Sequence, residues 1–162
     1  MKILHINYSD YKGGASRAAY RLHSCLKKKV DSKFYCNFSK NYQKDKSIIY
    51  KGSFFKSIYF LIGKIIGLFL KTKYSIFSAG ILPTSVSKFI NHSDYDIIHL
   101  HWICGETLSI KDIGHIKKPI VWTLHDLWPL TGGDHSPFEE TWKNKKKLIG
   151  RNRINHFLLM LK

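Results

Sequence analysis

The chain has 162 residues, with 27 Lys plus Arg against 11 Asp plus Glu and a formal net charge of +16. That length suits one domain with a real core and is short for a two-domain enzyme. A hydrophobic content of 44% with 14% aromatics excludes a disordered chain, and 11 Gly with 4 Pro excludes a fibrous one.

The charge is unevenly spread. Residues 1–90 carry 17 basic and 3 acidic side chains, residues 91–142 carry 3 basic and 8 acidic, and residues 143–162 carry 7 basic and none acidic. The excess therefore lies in the flanks, which reads either as a solvated lysine-rich surface or as a face for an anionic partner. Cys25, Cys36 and Cys104 show no CxxC or ladder spacing, so reduced thiols in a cytoplasmic setting are expected. The N-terminus has one Lys and a short apolar stretch broken by His5, too little for a secretory signal.

In chain order, Lys2–Asn7 (KILHIN) predicts a buried strand, followed by a polar loop closed by Gly13 and Gly14. Ala15, Ala18, Ala19, Leu22, Cys25 and Leu26 then recur at helical spacing, predicting a helix that buries this stripe. Lys33–Phe38 reads as a second strand, and the resulting βαβ unit implies a parallel sheet. Residues 39–52 read as a loop. Phe54–Leu70 is strongly apolar but interrupted by Lys56 and Lys64, with Lys71 beyond. A central Lys argues against spanning a bilayer, so an amphipathic helix is expected, packed on the sheet or lying at a lipid interface. Asp96–Leu100 and Pro119–Leu124 read as buried strands around a short helix within Thr107–Lys117, and residues 139–162 as a basic helix. The predicted class is α/β, a Rossmann-like parallel sheet flanked by helices over residues 1–133, with a basic tail over 134–162.

Open α/β sheets bind ligands just past the carboxyl ends of their strands, and three features fall there. Gly13–Gly14 opens a helix after the first strand, where backbone N–H groups and the helix dipole favour phosphate. His99-Leu100-His101-Trp102 ends the third strand, with both histidines on one face. His125-Asp126-Leu127-Trp128-Pro129 ends the fourth, before Thr131-Gly132-Gly133. The tryptophans suit core or pocket wall, and Trp102 or Trp128 could stack on a sugar.

Together, KILHINYSDYKGGASRAAYRLHSCL, DYDIIHLHW and KKPIVWTLHDLWPLTGG resemble the amino-terminal domain of retaining glycosyltransferases of family 4, closest to the colanic-acid and capsule polysaccharide type. The resemblance covers roughly residues 1–133. It implies one half of a GT-B fold, in which this domain receives the acceptor and a second binds the nucleotide-sugar. By that likeness Gly13 and Gly14 face the donor diphosphate, His125 contacts the transferred sugar as the catalytic residue, and His101, Trp102 and Asp126 line the acceptor side. Arg17 could add charge near phosphate. Neither metal nor cofactor is implied, the nucleotide-sugar being a substrate. The acceptor would be a lipid-linked or other oligosaccharide at the inner face of the cell membrane, with Phe54–Leu70 meeting anionic lipid.

The sequence departs from the family in having Asp134 where Cys is common, and no paired-glutamate motif before the last residue, Lys162. The expectation is an amino-terminal half, inactive alone or completed by a separate donor-binding chain. Other readings are a metal-dependent hydrolase using His99, His101, His125 and Asp126, a non-catalytic partner subunit, and a nucleic-acid module. Only charge suggests the last, and no nucleic-acid partner is expected.

Overall fold

The computed structural model describes residues 1–50, 54–69, 77–131 and 135. Its centre is a five-stranded, all-parallel sheet in the order β3-β2-β1-β4-β5, formed by β1 (Lys2–Ser9), β2 (Asp31–Phe38), β3 (Ile48–Tyr50), β4 (Ile97–Leu100) and β5 (Ile120–Trp122). The helices are α1 (Gly13–Leu26), α2 (Phe54–Phe69), α3 (Val86–His92), α4 (Ile110–Gly114) and α5 (Trp128–Thr131). This is a Rossmann-like α/β fold.

β1 pairs with β2 on one side and with β4 on the other, His5 lying opposite Phe34 and His99. A strand flanked on both edges and both faces has to be buried throughout, so His5, Asn7 and Ser9 are buried along with Ile3, Leu4, Ile6 and Tyr8. Leu4, Ile6, Ile98 and Leu100 are fully buried and pack with Val86 and Ile90 of α3 and Ile113 of α4. On the opposite face, Ala19 of α1 packs with Phe34, Cys36 and Ile48. The chain therefore passes from β2 and β3 on one side of β1 to β4 and β5 on the other. The connections leaving the carboxyl ends of β1 and β4 lead to helices on opposite faces, α1 and α4, and leave a crevice between them.

Most expected elements are present, with differences that have physical reasons. The first strand continues through the expected polar loop to Ser9, because Asn7 and Ser9 are buried and hydrogen-bonded. In α1 the buried residues are Ser16, Ala19 and His23, whereas Ala18, Leu22 and Cys25 face outward. Of the expected stripe only Ala19 is fully buried, with Ala15 and Leu26 half-buried. His23 occupies the interior because its two ring nitrogens pair with the hydroxyls of Ser32 and Ser47, each at 2.8 Å.

The loop expected over 39–52 contains β3, and α3 was not anticipated. The helix expected within Thr107–Lys117 shortens to α4, whose start is fixed by a reciprocal capping box between Ser109 and Asp112. α2 packs through Phe60 against Tyr8, yet its outer side exposes Leu61, Ile65, Leu68 and Phe69 beside Lys64. Its exposed side thus carries Lys64 together with these apolar residues. No helix among the described residues is long and apolar enough to cross a membrane. The helix expected over 139–162 lies outside the described residues.

One residue strains its backbone to brace this frame. Glu106 has φ 56° and is buried, and its carboxylate accepts the N–H groups of Gly80 and Leu82, each at 3.0 Å. Gly80 itself has φ 62°, and a Cβ there would sit 2.6 Å from the Trp128 ring, so only glycine fits.

Candidate functional site

A cleft of about 870 Å³ opens past the carboxyl ends of β1 and β4, lined by Gly13, Gly14, Trp102, His125, Asp126 and His135, with Tyr8 and Lys12 at its side. Gly13 has φ 80°, a left-handed conformation that suits glycine and turns the chain from the loop into α1. Neither Gly13 nor Gly14 has any atom within 4 Å of where a Cβ would stand, so the space over them is open. Lys12, at the N-cap, makes no side-chain cap, and the first turn of α1 contains no acidic residue. The positive end of a 14-residue helix therefore faces the cleft without an anionic side chain of its own.

Asn7 holds this arrangement together. Its side-chain N–H groups donate to the Ser9 carbonyl at 2.5 Å and to the Ser16 hydroxyl at 2.9 Å. Its oxygen accepts the Trp102 backbone N–H at 2.8 Å. One buried amide thus joins the end of β1, the first turn of α1 and the chain leaving β4.

The opposite wall is a polar cluster. The Trp102 indole N–H donates to Asp126 Oδ2 at 2.6 Å, and the same oxygen pairs with His135 Nδ1 at 2.5 Å. The other Asp126 oxygen accepts the Trp128 backbone N–H at 3.0 Å. Burial alone would raise the Asp126 carboxyl, but these donors outweigh it and hold the group below the ordinary carboxylate range. Trp102 also meets Tyr8 edge to face, with ring centroids 5.2 Å apart.

Behind His125 lies a group of imidazoles. His5 Nδ1 and His101 Nε2 are 3.1 Å apart, and His101 Nδ1 and His125 Nε2 are 3.4 Å apart. His99 stacks on His101 with centroids 4.1 Å apart and bonds the Thr123 hydroxyl through Nε2 at 2.8 Å. Burial, reinforced by the neighbouring histidines, pushes His101 down to about 2 and His5 to about 3. His125 is lowered by burial, an effect that Asp126 partly offsets.

Of the residues singled out from sequence, the structure gathers Gly13, Gly14, Trp102, His125 and Asp126 around one cleft. His101 is only 3% exposed and sits behind His125 rather than on the cleft wall. Arg17 is exposed near the start of α1. Sequence reasoning passed over His5, Asn7 and His135. The alternation Ile3-His5-Asn7 against Leu4-Ile6 was the available signal, since it places His5 on the His99 face of a parallel neighbour.

Among the described residues, two sets of side chains have ligand atoms within 4.8 Å of one another, His5-His99-His101 and Cys104-Asp126-His135. The first fits a metal ion poorly. His99 and His101 stack at an interplanar angle of 27°, so their in-plane lone pairs run side by side instead of converging. In the second, Asp126 Oδ2 already takes two donors, and burial raises the Cys104 thiol well above its ordinary range. The geometry favours hydrogen-bonded networks over a metal centre.

Comparison with protein-family models, with curated proteins and with solved structures finds no match to this chain.

Proposed function

We propose that this cleft is the acceptor-side half of a glycosyl-transfer site, serving cell-surface polysaccharide synthesis from a nucleotide-sugar at the inner face of the membrane. The observation that supports it is the uncapped N-terminus of α1, with open space over Gly13 and Gly14, facing the same cleft as His125 and Trp102. Sugar transfer develops negative charge on a departing diphosphate and positive charge on the sugar. Backbone N–H groups at a helix start answer the first need without a metal. In this reading His125 contacts the sugar, and the Trp102 ring and the Asp126 carboxylate, which line the same cleft, meet the acceptor.

The acceptor's setting is read from α2. Between Asp45 and Asp94 the sequence has seven Lys and no acidic residue, and α2, within that stretch, exposes Leu68 and Phe69 at 79% and 80%. Apolar side chains beside lysine suit an anionic lipid surface. Because α2 touches Tyr8 through Phe60, docking there would hold the cleft near a lipid-linked acceptor.

Titration of the 15N-labelled protein with inorganic pyrophosphate, UDP and GDP tests the first part. Amide shifts at Gly13, Gly14 and Ala15 are expected, and shifts confined to other segments would overturn it. Flotation with phosphatidylglycerol vesicles tests the second. Binding should weaken with salt and with Leu68→Glu plus Phe69→Glu, and a double variant that floats like the parent rejects the role of α2.

A further inference from the structure

The imidazoles behind the cleft carry more than packing. We propose that His5, His101 and His125 form a directional relay of hydrogen bonds that fixes His125 with its ring proton on Nδ1, so that it meets a cleft ligand as a donor and not as a base. The ligand's identity rests on the glycosyl-transfer reading above; the direction of the relay does not.

Two contacts join the three rings, His5 Nδ1 to His101 Nε2 at 3.1 Å and His101 Nδ1 to His125 Nε2 at 3.4 Å. A neutral imidazole has one N–H and one lone pair. With burial holding His5 near 3 and His101 near 2, both are neutral at pH 7. Only two assignments then satisfy both contacts. In the outward one, His5 Nδ1–H donates to His101, His101 Nδ1–H donates to His125 Nε2, and the His125 proton stands on Nδ1. In the inward one every proton lies on Nε2, with His125 donating to His101 and His101 to His5.

The inner end of the chain decides between them. His5 is fully buried, and its Nε2 finds no hydrogen-bond partner among the described residues. The inward assignment puts an N–H on that atom, and the outward one leaves a bare lone pair. Buried, unpaired N–H groups are rarer than under-used acceptors. The outward direction therefore wins.

The surroundings do not oppose it. His5 is flanked by His23, Phe34 and His99, and His101 by His99. No carboxylate or ammonium group among the described residues hydrogen-bonds either ring. Asp126 acts on His125 only through its charge. With Nε2 committed to His101, Nδ1 is the His125 nitrogen left for the cleft, where it would donate to a hydroxyl or phosphate oxygen. His5 and His101 are positioning residues in this scheme.

Long-range 1H–15N correlation of the histidine-labelled protein at pH 7 reads each ring directly. The expected spectrum shows all three rings protonated at Nδ1; a His125 proton on Nε2, or an averaged signal, overturns the relay. His101→Phe removes the donor, and the His125 pair should collapse toward the averaged pattern of a free imidazole while backbone amide shifts elsewhere stay in place. Retention of the Nδ1 proton in that variant would also overturn the relay. If the variant fails to fold, the wild-type spectrum still decides. A failed pyrophosphate titration leaves this spectrum unaltered, and an inverted spectrum leaves the anion site untouched, so the two readings fail separately.

Discussion

On the face covered by α3 and α4, β1 and β4 present Leu4, Ile6, Ile98 and Leu100; on the α1 side the same chain segments present His5, His99 and, past the strand end, His101. The first face is held by area removed from water, without directional demands. The second is held by pairings that each require a partner at the right distance. His23 needs Ser32 and Ser47, and Asn7 needs Ser16 and the Trp102 N–H. The aliphatic face stabilises the fold whatever the pH. The imidazole face specifies the cleft, and it stabilises only while its rings remain neutral.

Acid is accordingly the harshest test of the difference. The folded chain keeps His23 neutral to about 4, His5 to about 3 and His101 to about 2, whereas an unfolded chain protonates each near 6.5. Below pH 6.5 the unfolded state binds more protons, so stability is full above that value and falls as pH drops towards 4. The loss is roughly 1.4 kcal/mol per pH unit for each ring that stays neutral. Circular dichroism should show unfolding between about pH 6 and pH 4. His5→Phe should make the loss shallower by about one proton. A parent protein folded and unchanged at pH 3.5 would show that this face does not control stability.

Leu100→Ala probes the other face. Leu100 is fully buried among Ile6, Ile98 and Ile103, and the cavity should cost about 2–5 kcal/mol in urea unfolding, equally at pH 7 and pH 8. A loss under about 1 kcal/mol would mean that α3 and α4 pack loosely on the sheet.

Much of this frame was legible in the sequence, because parallel strands covered on both faces leave apolar runs and a glycine pair marks the turn into α1. The facing of α1 was not. Its buried side contains Ser16 and His23, whose partners stand 9 to 24 residues away, and periodicity shows only apolar side chains. β3, with three residues, and α3, with seven and no side-chain cap, are too short to leave a period. Glu106 was invisible for another reason. Its left-handed backbone is bound to N–H groups 24 and 26 residues earlier, and nothing local marks it. In the cleft, the glycines and the residues after β4 and β5 were found because they follow strand ends. His5 was missed because a histidine inside a strand reads as an interruption.

Asn7→Leu comes next in size and asks whether the imidazole face and the cleft are one construction. The substitution removes the acceptor from the Trp102 N–H and the donor to Ser16 while preserving bulk. A loss of about 1–3 kcal/mol is expected in thermal unfolding, with amide shifts moving together in the glycine turn and around Trp102. Shifts limited to β1 would separate the two walls of the cleft and remove Asn7 as their link.

Gly14→Ala should give the smallest change, and one of opposite sign. Unlike Gly13, Gly14 has no positive φ, and an added Cβ meets nothing within 4 Å. Alanine in a helix is favoured over glycine, so the variant should gain about 0.5–1 kcal/mol. The same methyl stands where a diphosphate would approach the start of α1, so pyrophosphate affinity should fall even as the melting temperature rises. Evolution towards stability alone would place alanine there, since the fold itself makes no demand for glycine at 14. If Gly14→Ala binds pyrophosphate as well as the parent does, the open space over the turn is not an anion site, and the cleft's chemistry must begin from the His125 side.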